Sequence, residues 1–309
     1  MPELAIIIVT WNVRQQVLDA LDSLYADLNA NGPAATVYVV DNHSADGTAD
    51  AVARQFPQAR LLALQENLGF VRGNNYALRE IGFDGAANAA LPRAVYLLNP
   101  DTITTPGATR ALYDALLREN GPGLVGARLT FGDGSFQHSA FRFPGLRQLW
   151  VELFPTPGRL VDSPFNGRYP REHYLGEQPF EVDFVLGATM MLRAEVVQQT
   201  GLLDEGFFMY CEEIDWAWRI RAAGWRVECV PAAHVVHLGG QSTGQARPES
   251  VLHLWTSRLR LYRKHLPPWK AALARLMIGA GMRRLARTPG LDPALADVYR
   301  TIATAALKR

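Results

Sequence analysis

The first 130 residues alternate short β-branched runs with amphipathic stretches, and this alternation limits the possible folds more than any other feature of the chain. The runs are Ala5 to Thr10, Thr36 to Asn42, Arg60 to Gln65, Ala94 to Asn99 and Leu124 to Leu129. Between the first two, Val17, Leu18, Leu21, Leu24, Tyr25 and Leu28 recur at helical spacing. Strand, amphipathic helix and strand in succession predict an α/β fold, with βαβ units around a mostly parallel sheet flanked by helices. Each run ends in polar residues: Thr10 and Asn12, Asp41 and Asn42, Glu66 and Asn67, Asn99 and Asp101. Ligands of open α/β sheets bind beyond the carboxyl ends of the strands, so these tips predict one shared crevice.

From about 131 to 182 the periodicity gives way to Gly, Pro and aromatic residues, as in GDGSFQHSAFRFPG. A stretch of this length is either disordered or functional, and its aromatic content predicts an ordered cover over the crevice. EVDFVLGATMMLR then reads as one more buried strand, Ala194 to Thr200 as a short helix, and VECVPAAHVVHLGG as a final strand and turn. The expected division is a domain over 1–248, with one half to 130 and a second from 131, followed by basic amphipathic helices over 249–309.

Charge narrows the partners. With 31 basic and 30 acidic residues the net charge is +1, which leaves no whole-protein field to attract nucleic acid. Cys211 and Cys229 are too few for a disulfide framework and lack metal-site spacing, which fits a reducing, cytoplasmic compartment. MPELAIIIVTWN has no basic region ahead of its apolar run and reads as a first strand, not a signal peptide. Nowhere do 18 apolar residues run without a charge, so no conventional membrane span is expected. Between Ser250 and Leu291, however, there are nine Arg and Lys and no acid, interleaved with Leu, Trp, Tyr and Met. Two readings stand: amphipathic helices in peripheral contact with an anionic membrane surface, at the inner face of the cell membrane, or a helical extension packed on the core with a solvated basic face.

Several short stretches carry chemistry. In VYVVDNHSADGT (37–48), Asp41 ends a strand, where a carboxylate can accept a pyrimidine imide N–H, bond a ribose hydroxyl or simply cap the next helix. NLGFVRGNN (67–75) places Gly69 and Gly73 where the backbone must approach something closely, flanked by Asn67, Asn74 and Asn75. Its spacing is not that of a dinucleotide fingerprint. In YLLNPDT (96–102), apolar residues deliver Asp101 to solvent behind Pro100, a placement suited to a divalent cation on a diphosphate. His237, in HVVHLGGQS (234–242), ends the last strand, where a neutral imidazole can reach a metal or phosphate; His234 competes for that role.

FFMYCEEIDWAWRIRAAGW (207–225) crowds three carboxylates into an apolar run. A helix starting near Glu212 puts Glu212 and Asp215 on one face and turns Glu213 roughly 100° away. Asp215 and Arg219 are spaced for an i, i+4 ion pair, which gives Asp215 a structural role by default. The first-turn position lets the helix dipole oppose the rise in pKa that burial would cause in Glu212 and Glu213. A carboxylate left without a cationic partner beside a crevice is a candidate general base.

Taken together, VTWN, VDNHSADGT, NLGFVRGNN, LLNPDT, the 207–225 stretch and HVVHLGGQS resemble family 2 glycosyltransferases, nearest to a rhamnosyltransferase-like branch, over roughly residues 5–242. The resemblance implies a GT-A fold, a dTDP- or UDP-linked sugar donor, Mg²⁺ or Mn²⁺, inversion at the anomeric carbon, and a saccharide or lipid-linked saccharide acceptor. By position it implies nucleotide contacts at Thr10, Asn12 and Asp41, and a donor segment of Asn67, Gly69, Gly73 and Asn74. It further implies metal contacts at Asp101 and His237, a floor of Gly187 and Ala188, and a base at Glu213. The apolar residues around Glu213 would shape the acceptor side. Two departures stand out: the metal motif begins with Asn99, and Glu213 replaces the family's usual Asp, which keeps Asp215 and Glu212 as candidate bases. A nucleotidyltransferase would carry a Gly-rich loop after the first strand, and VTWNVRQQ has no glycine; a non-catalytic nucleotide-sugar binding protein is the other alternative.

Overall fold

The computed structural model describes residues 3–83, 85, 91–239 and 247–308. Its first strand, β1 (Leu4–Thr10), is buried along its whole length. Leu4, Ile6 and Ile8 enter an apolar cluster with Val17, Leu18, Leu21 and Leu24 of α1 (Arg14–Asn31), while Ala5, Ile7 and Val9 enter a second cluster on the opposite face. Side chains alternate across a strand, so a run apolar at every position must be covered on both sides. β2 (Ala35–Asp41), α2 (Thr48–Gln55), β3 (Arg60–Ala63), α3 (Gly69–Ile81) and β4 (Ala94–Leu98) follow, and the four strands run parallel in the order β3-β2-β1-β4.

Next come β5 (Thr102–Thr104), α4 (Ala108–Leu117) and β6 (Leu124–Thr130). The stretch expected to cover the crevice is ordered, but none of its residues lines the crevice, and Gln137 reaches its wall at His237. It forms β7 (Phe136–Gln137), β8 (Ala140–Phe141), α5 (Leu146–Leu153), the single turns α6 (Gly158–Val161) and α7 (Glu172–Leu175), and β9 (Phe180–Val182). Its aromatic residues satisfy one another, as with Phe136 edge-on to Tyr174 at 5.0 Å. The expected single strand over EVDFVLGATMMLR is three pieces. β9 pairs with a later strand, β10 (Phe184–Val185) pairs with β8 in a small separate sheet, and β11 (Thr189–Arg193) enters the main sheet antiparallel, between β4 and β6. The chain turns at Asp183, whose carboxylate accepts the Phe143 N–H at 2.9 Å, and again before Gly187 and Ala188.

α8 (Ala194–Thr200), α9 (Glu212–Ala222) and β12 (Val227–His237) complete this part, with β12 parallel to β6 and antiparallel to β5. The main sheet therefore reads β3-β2-β1-β4-β11-β6-β12-β5, mixed but mostly parallel. The C-terminal helices α10 (Arg247–His265), α11 (Pro268–Leu285) and α12 (Pro293–Leu307) form a third apolar cluster with Leu149 and Leu153 of α5. Three basic residues of α10 follow the packed reading. Arg258 pairs with Glu152, Arg260 and Lys264 with Asp204, and Lys264 also with Asp215. Among the described residues no helix is long and apolar enough to cross a membrane.

Candidate active site

A cavity of about 380 Å³ opens beyond the carboxyl ends of β1 and β4, where the strand tips place it. Thr10, Asn67, Gly69 and Asp101 line one side, Gly187 and Ala188 the floor, and Glu212, Glu213 and His237 the remainder of the predicted set. Asn12, Asp41, Gly73, Asn74 and Asp215 do not line it; they stand behind its walls.

The positions behind the wall explain its shape. Asn12 takes a left-handed φ of 52°, accepts the Ala45 N–H at 2.7 Å and donates its own N–H to Ser44 Oγ at 2.9 Å, so it ties the loop after β1 to the loop after β2. Asp41 accepts the Ser44 N–H at 3.1 Å through Oδ2, while its other oxygen, like Oγ1 of its sheet neighbour Thr10, is buried with no partner among the described residues. Buried acceptors are nearly always satisfied, so these two oxygens on neighbouring strand tips are exceptions to the rule. Asn42, which lines the cavity, bonds the Gly69 carbonyl through its amide nitrogen at 3.1 Å and accepts the Leu68 N–H at 3.3 Å. Asn67 accepts the Gly69 N–H at 2.9 Å. These bonds hold Gly69 at a φ of +79°, where an added Cβ would meet the Phe208 ring at 2.6 Å. Gly73 lets α3 close on β1, since a Cβ there would meet Val9 at 2.9 Å, and Asn74 spends its amide on the Phe70 carbonyl.

The three carboxylates of α9 have different environments. Tyr210 and Cys211 both take left-handed φ values, 68° and 66°, which turn the chain so that the first turn of α9 meets the cavity end-on. Glu212 and Glu213 therefore both reach the cavity, although their helical angles differ. Asp215, fully buried, faces away, against α10. It accepts from Arg219 Nε at 2.9 Å, and Lys264 and His265 lie at 2.6 and 2.7 Å. Burial pushes the Asp215 pKa up, but its bonds to His265, Lys264 and Arg219 outweigh that and leave it below the ordinary carboxylate value. Glu212 and Glu213 behave in the opposite way. Burial raises Glu212 well above its ordinary value, and the neighbouring Glu213 adds to the rise. Burial also raises Glu213, against backbone N–H bonds and the charge of Arg258. The helix dipole, expected to counter the rise, is outweighed by desolvation. Gly187 sits under the Glu213 side chain, its Cβ direction 3.6 Å from Glu213 Cβ.

The sequence profile described as "Glycosyltransferase like family 2" matches residues 2–263. The chain is 32% identical over 270 residues to N-acetylglucosaminyl-diphospho-decaprenol L-rhamnosyltransferase of Mycobacterium tuberculosis, covering 82% of this chain and 86% of that protein. This chain belongs to glycosyltransferase family 2. Its fold matches GalNAc-T7 solved with UDP, GalNAc and Mn²⁺ (TM-score 0.61, 12% identity, 98% of this chain and 55% of that one). It also matches the mannosyltransferase PcManGT from Pyrobaculum calidifontis in complex with GDP-Man and Mn²⁺ (TM-score 0.51, 18% identity, 99% of this chain and 84% of that one). The fold is thus GT-A, and the enzyme transfers a sugar from a nucleotide donor to a glycan acceptor.

The glycosyltransferase brings Asp101 and His237 together in the cavity wall, with His237 Nε2 3.4 Å from Asp101 Oδ1. The Gln137 side chain lies 3.1 Å from His237 Nδ1 and orients the ring so that Nε2 faces the carboxylate. Among the described residues no cluster of three His, Cys, Asp or Glu is placed to hold an ion. A two-residue set fits a divalent ion that completes its shell with diphosphate oxygens and water, and does not fit an all-protein cage. Gly240 and Ser242, which follow His237 in its motif, lie outside the described residues.

Sequence reasoning missed the other side of the enzyme's cavity. Phe208 and His253 stack at 4.7 Å, and Glu249 and Ser250 join them from the first turns of α10. The aromatic run before the acids could have suggested Phe208. Nothing local marks His253, which reaches the site only because α10 packs beside α9.

Proposed function

We propose that this enzyme is an inverting rhamnosyltransferase that uses a dTDP-linked donor, with UDP-linked sugars as the alternative, and a lipid-linked saccharide acceptor in cell-surface polysaccharide synthesis. The observation that carries the reading is one cavity that holds Asp101 and His237 in the same wall system as an ionisable Glu213 lying over Gly187. The name of the mycobacterial relative supports the choice of sugar and of a lipid diphosphate acceptor.

In this reading the unsatisfied oxygens of Asp41 and Thr10 accept donors from the nucleobase and ribose. The backbone around Gly69, fixed by Asn42 and Asn67, lies close to the diphosphate. Asp101 and His237 would hold Mg²⁺ or Mn²⁺, which when bound offsets charge on the leaving diphosphate. Glu213 takes the proton of an acceptor hydroxyl as that oxygen attacks the anomeric carbon opposite the leaving group, which inverts the configuration. Glu212, kept neutral by burial, is not available to take that proton. The stacked Phe208 and His253 give a flat face for a sugar ring on the acceptor side.

Thermal-shift titration with dTDP and UDP, each with Mg²⁺, Mn²⁺ or chelator, tests the donor side. Nucleotide at 100 times its Kd adds about 2.7 kcal/mol, a shift of several degrees. The shift with the preferred nucleotide should require metal and disappear in Asp101→Asn. Transfer from dTDP-rhamnose to a synthetic N-acetylglucosaminyl-diphospho-lipid, with the product anomer assigned by NMR, tests the rest. Retained configuration, or no nucleotide shift in folded protein, would overturn the assignment.

A further inference from the structure

The outer face of α11 is built against the usual rule for a helix in water. Its buried side holds Ala274, Ile278, Gly279, Gly281 and Met282, and the two glycines let it close on its neighbours. A Cβ at Gly279 would meet Leu307 at 2.9 Å, and one at Gly281 would meet Leu153 at 2.8 Å. Large apolar side chains point the other way: Trp269 is 64% exposed, Leu276 59% and Leu273 41%. These three are spaced i, i+4, i+7, so they form one stripe. Continued along the helix, the stripe reaches Arg283, and Arg287 follows in the turn just past the helix end, both exposed. No acid occurs anywhere in α11, and Lys270 lies over the Trp269 ring at 5.4 Å.

A surface helix with exposed Trp and Leu would cost solvation free energy unless something apolar covers it. A second copy of this chain presents no acid on the same face to meet Arg283 and Arg287. An anionic bilayer meets both requirements, with acyl chains for the stripe and phosphates for the arginines. We propose that the outer face of α11 docks this enzyme on an anionic lipid surface, with Trp269, Leu273 and Leu276 at the acyl boundary and Arg283 and Arg287 on lipid phosphates. The basic residues of the C-terminal region thus divide by role. Arg258, Arg260 and Lys264 of α10 neutralise internal acids, and the outward Arg283 of α11 and Arg287 just beyond it remain for the lipid.

The test is vesicle flotation of the full chain with phosphatidylglycerol-containing vesicles and with pure phosphatidylcholine vesicles, at low and high salt. Binding to anionic vesicles, weakened by salt, is the expected result. Arg283→Gln with Arg287→Gln should lower partitioning by about 30-fold at low salt, from two lost arginine contacts. Arg284 is left intact because its guanidinium bonds the Leu153 carbonyl and ties α11 to α5. Trp269→Ser with Leu273→Ser and Leu276→Ser should abolish binding while leaving the melting temperature and turnover of a soluble acceptor unchanged. Docking does not depend on the acceptor proposed above: vesicle binding needs no donor, and soluble-acceptor turnover reports on the cavity alone. Equal binding by wild type and both variants, equal binding to neutral and anionic vesicles, or sedimentation of a dimer that buries this face without vesicle binding would each overturn the proposal.

Discussion

Glu213→Gln should separate catalysis from stability in a way that only a buried base permits. Burial raises the Glu213 pKa from its ordinary 4.5 to about 7. A carboxylic acid with a raised folded-state pKa stabilises the fold most below its unfolded value, and that contribution is lost as pH climbs through the folded value. At pH 8 the wild type therefore holds an ionised Glu213 at a cost on the order of 3 kcal/mol, which partial exposure trims to about 1–3 kcal/mol. Glutamine has nearly the same shape and no charge, so the variant should melt several degrees higher than wild type at pH 8 and level with it near pH 4.5. In the same protein the transfer rate should fall by about 10²- to 10⁴-fold, the usual worth of a general base, with nucleotide affinity unchanged. Wild-type kcat/KM should rise with pH through about 7 as the base ionises, and the variant should lose that limb. Differential scanning fluorimetry across pH, steady-state transfer and nucleotide titration measure the three quantities. A variant that keeps a tenth or more of the rate, that loses nucleotide binding, or that is destabilised equally at every pH would refute the reasoning.

Two further outcomes follow from the same geometry. Asp215→Asn should cost about 3–5 kcal/mol in urea unfolding, because it leaves Arg219, Lys264 and His265 without their buried anion; a stable but inactive Asn variant would instead make Asp215 the base. Gly69→Ala meets both a left-handed φ and the Phe208 ring, so it should raise the donor KM, and adding Phe208→Ala should recover only the steric part; full recovery in the double variant would show that backbone conformation is not limiting.

Much of the nucleotide side was legible in sequence because it is built from local periodicity. A run such as Ala5 to Thr10 can be read as a strand from its own residues, and its polar end falls at the crevice by the rule of the fold. Sheet order was less accessible. β11 enters between β4 and β6 although it is distant from both along the chain, and an apolar segment does not record which edges it will join. The aromatic content of 131–182 gave a misleading signal for the same reason: it reported that the segment would be ordered, not what it would cover.

The acids of α9 show where the division falls. Sequence by itself determined that three carboxylates would open a helix and that Asp215 would pair with Arg219 one turn on. The tertiary structure decided their chemistry, by bringing Lys264 and His265 from α10 onto Asp215 and, among the described residues, no such partner onto Glu212. A pKa is set by the dielectric and charges within a few ångströms. For these residues the deciding groups lie about 50 positions along the chain, so identical carboxyl chemistry became a structural anion in one case and a candidate base in another.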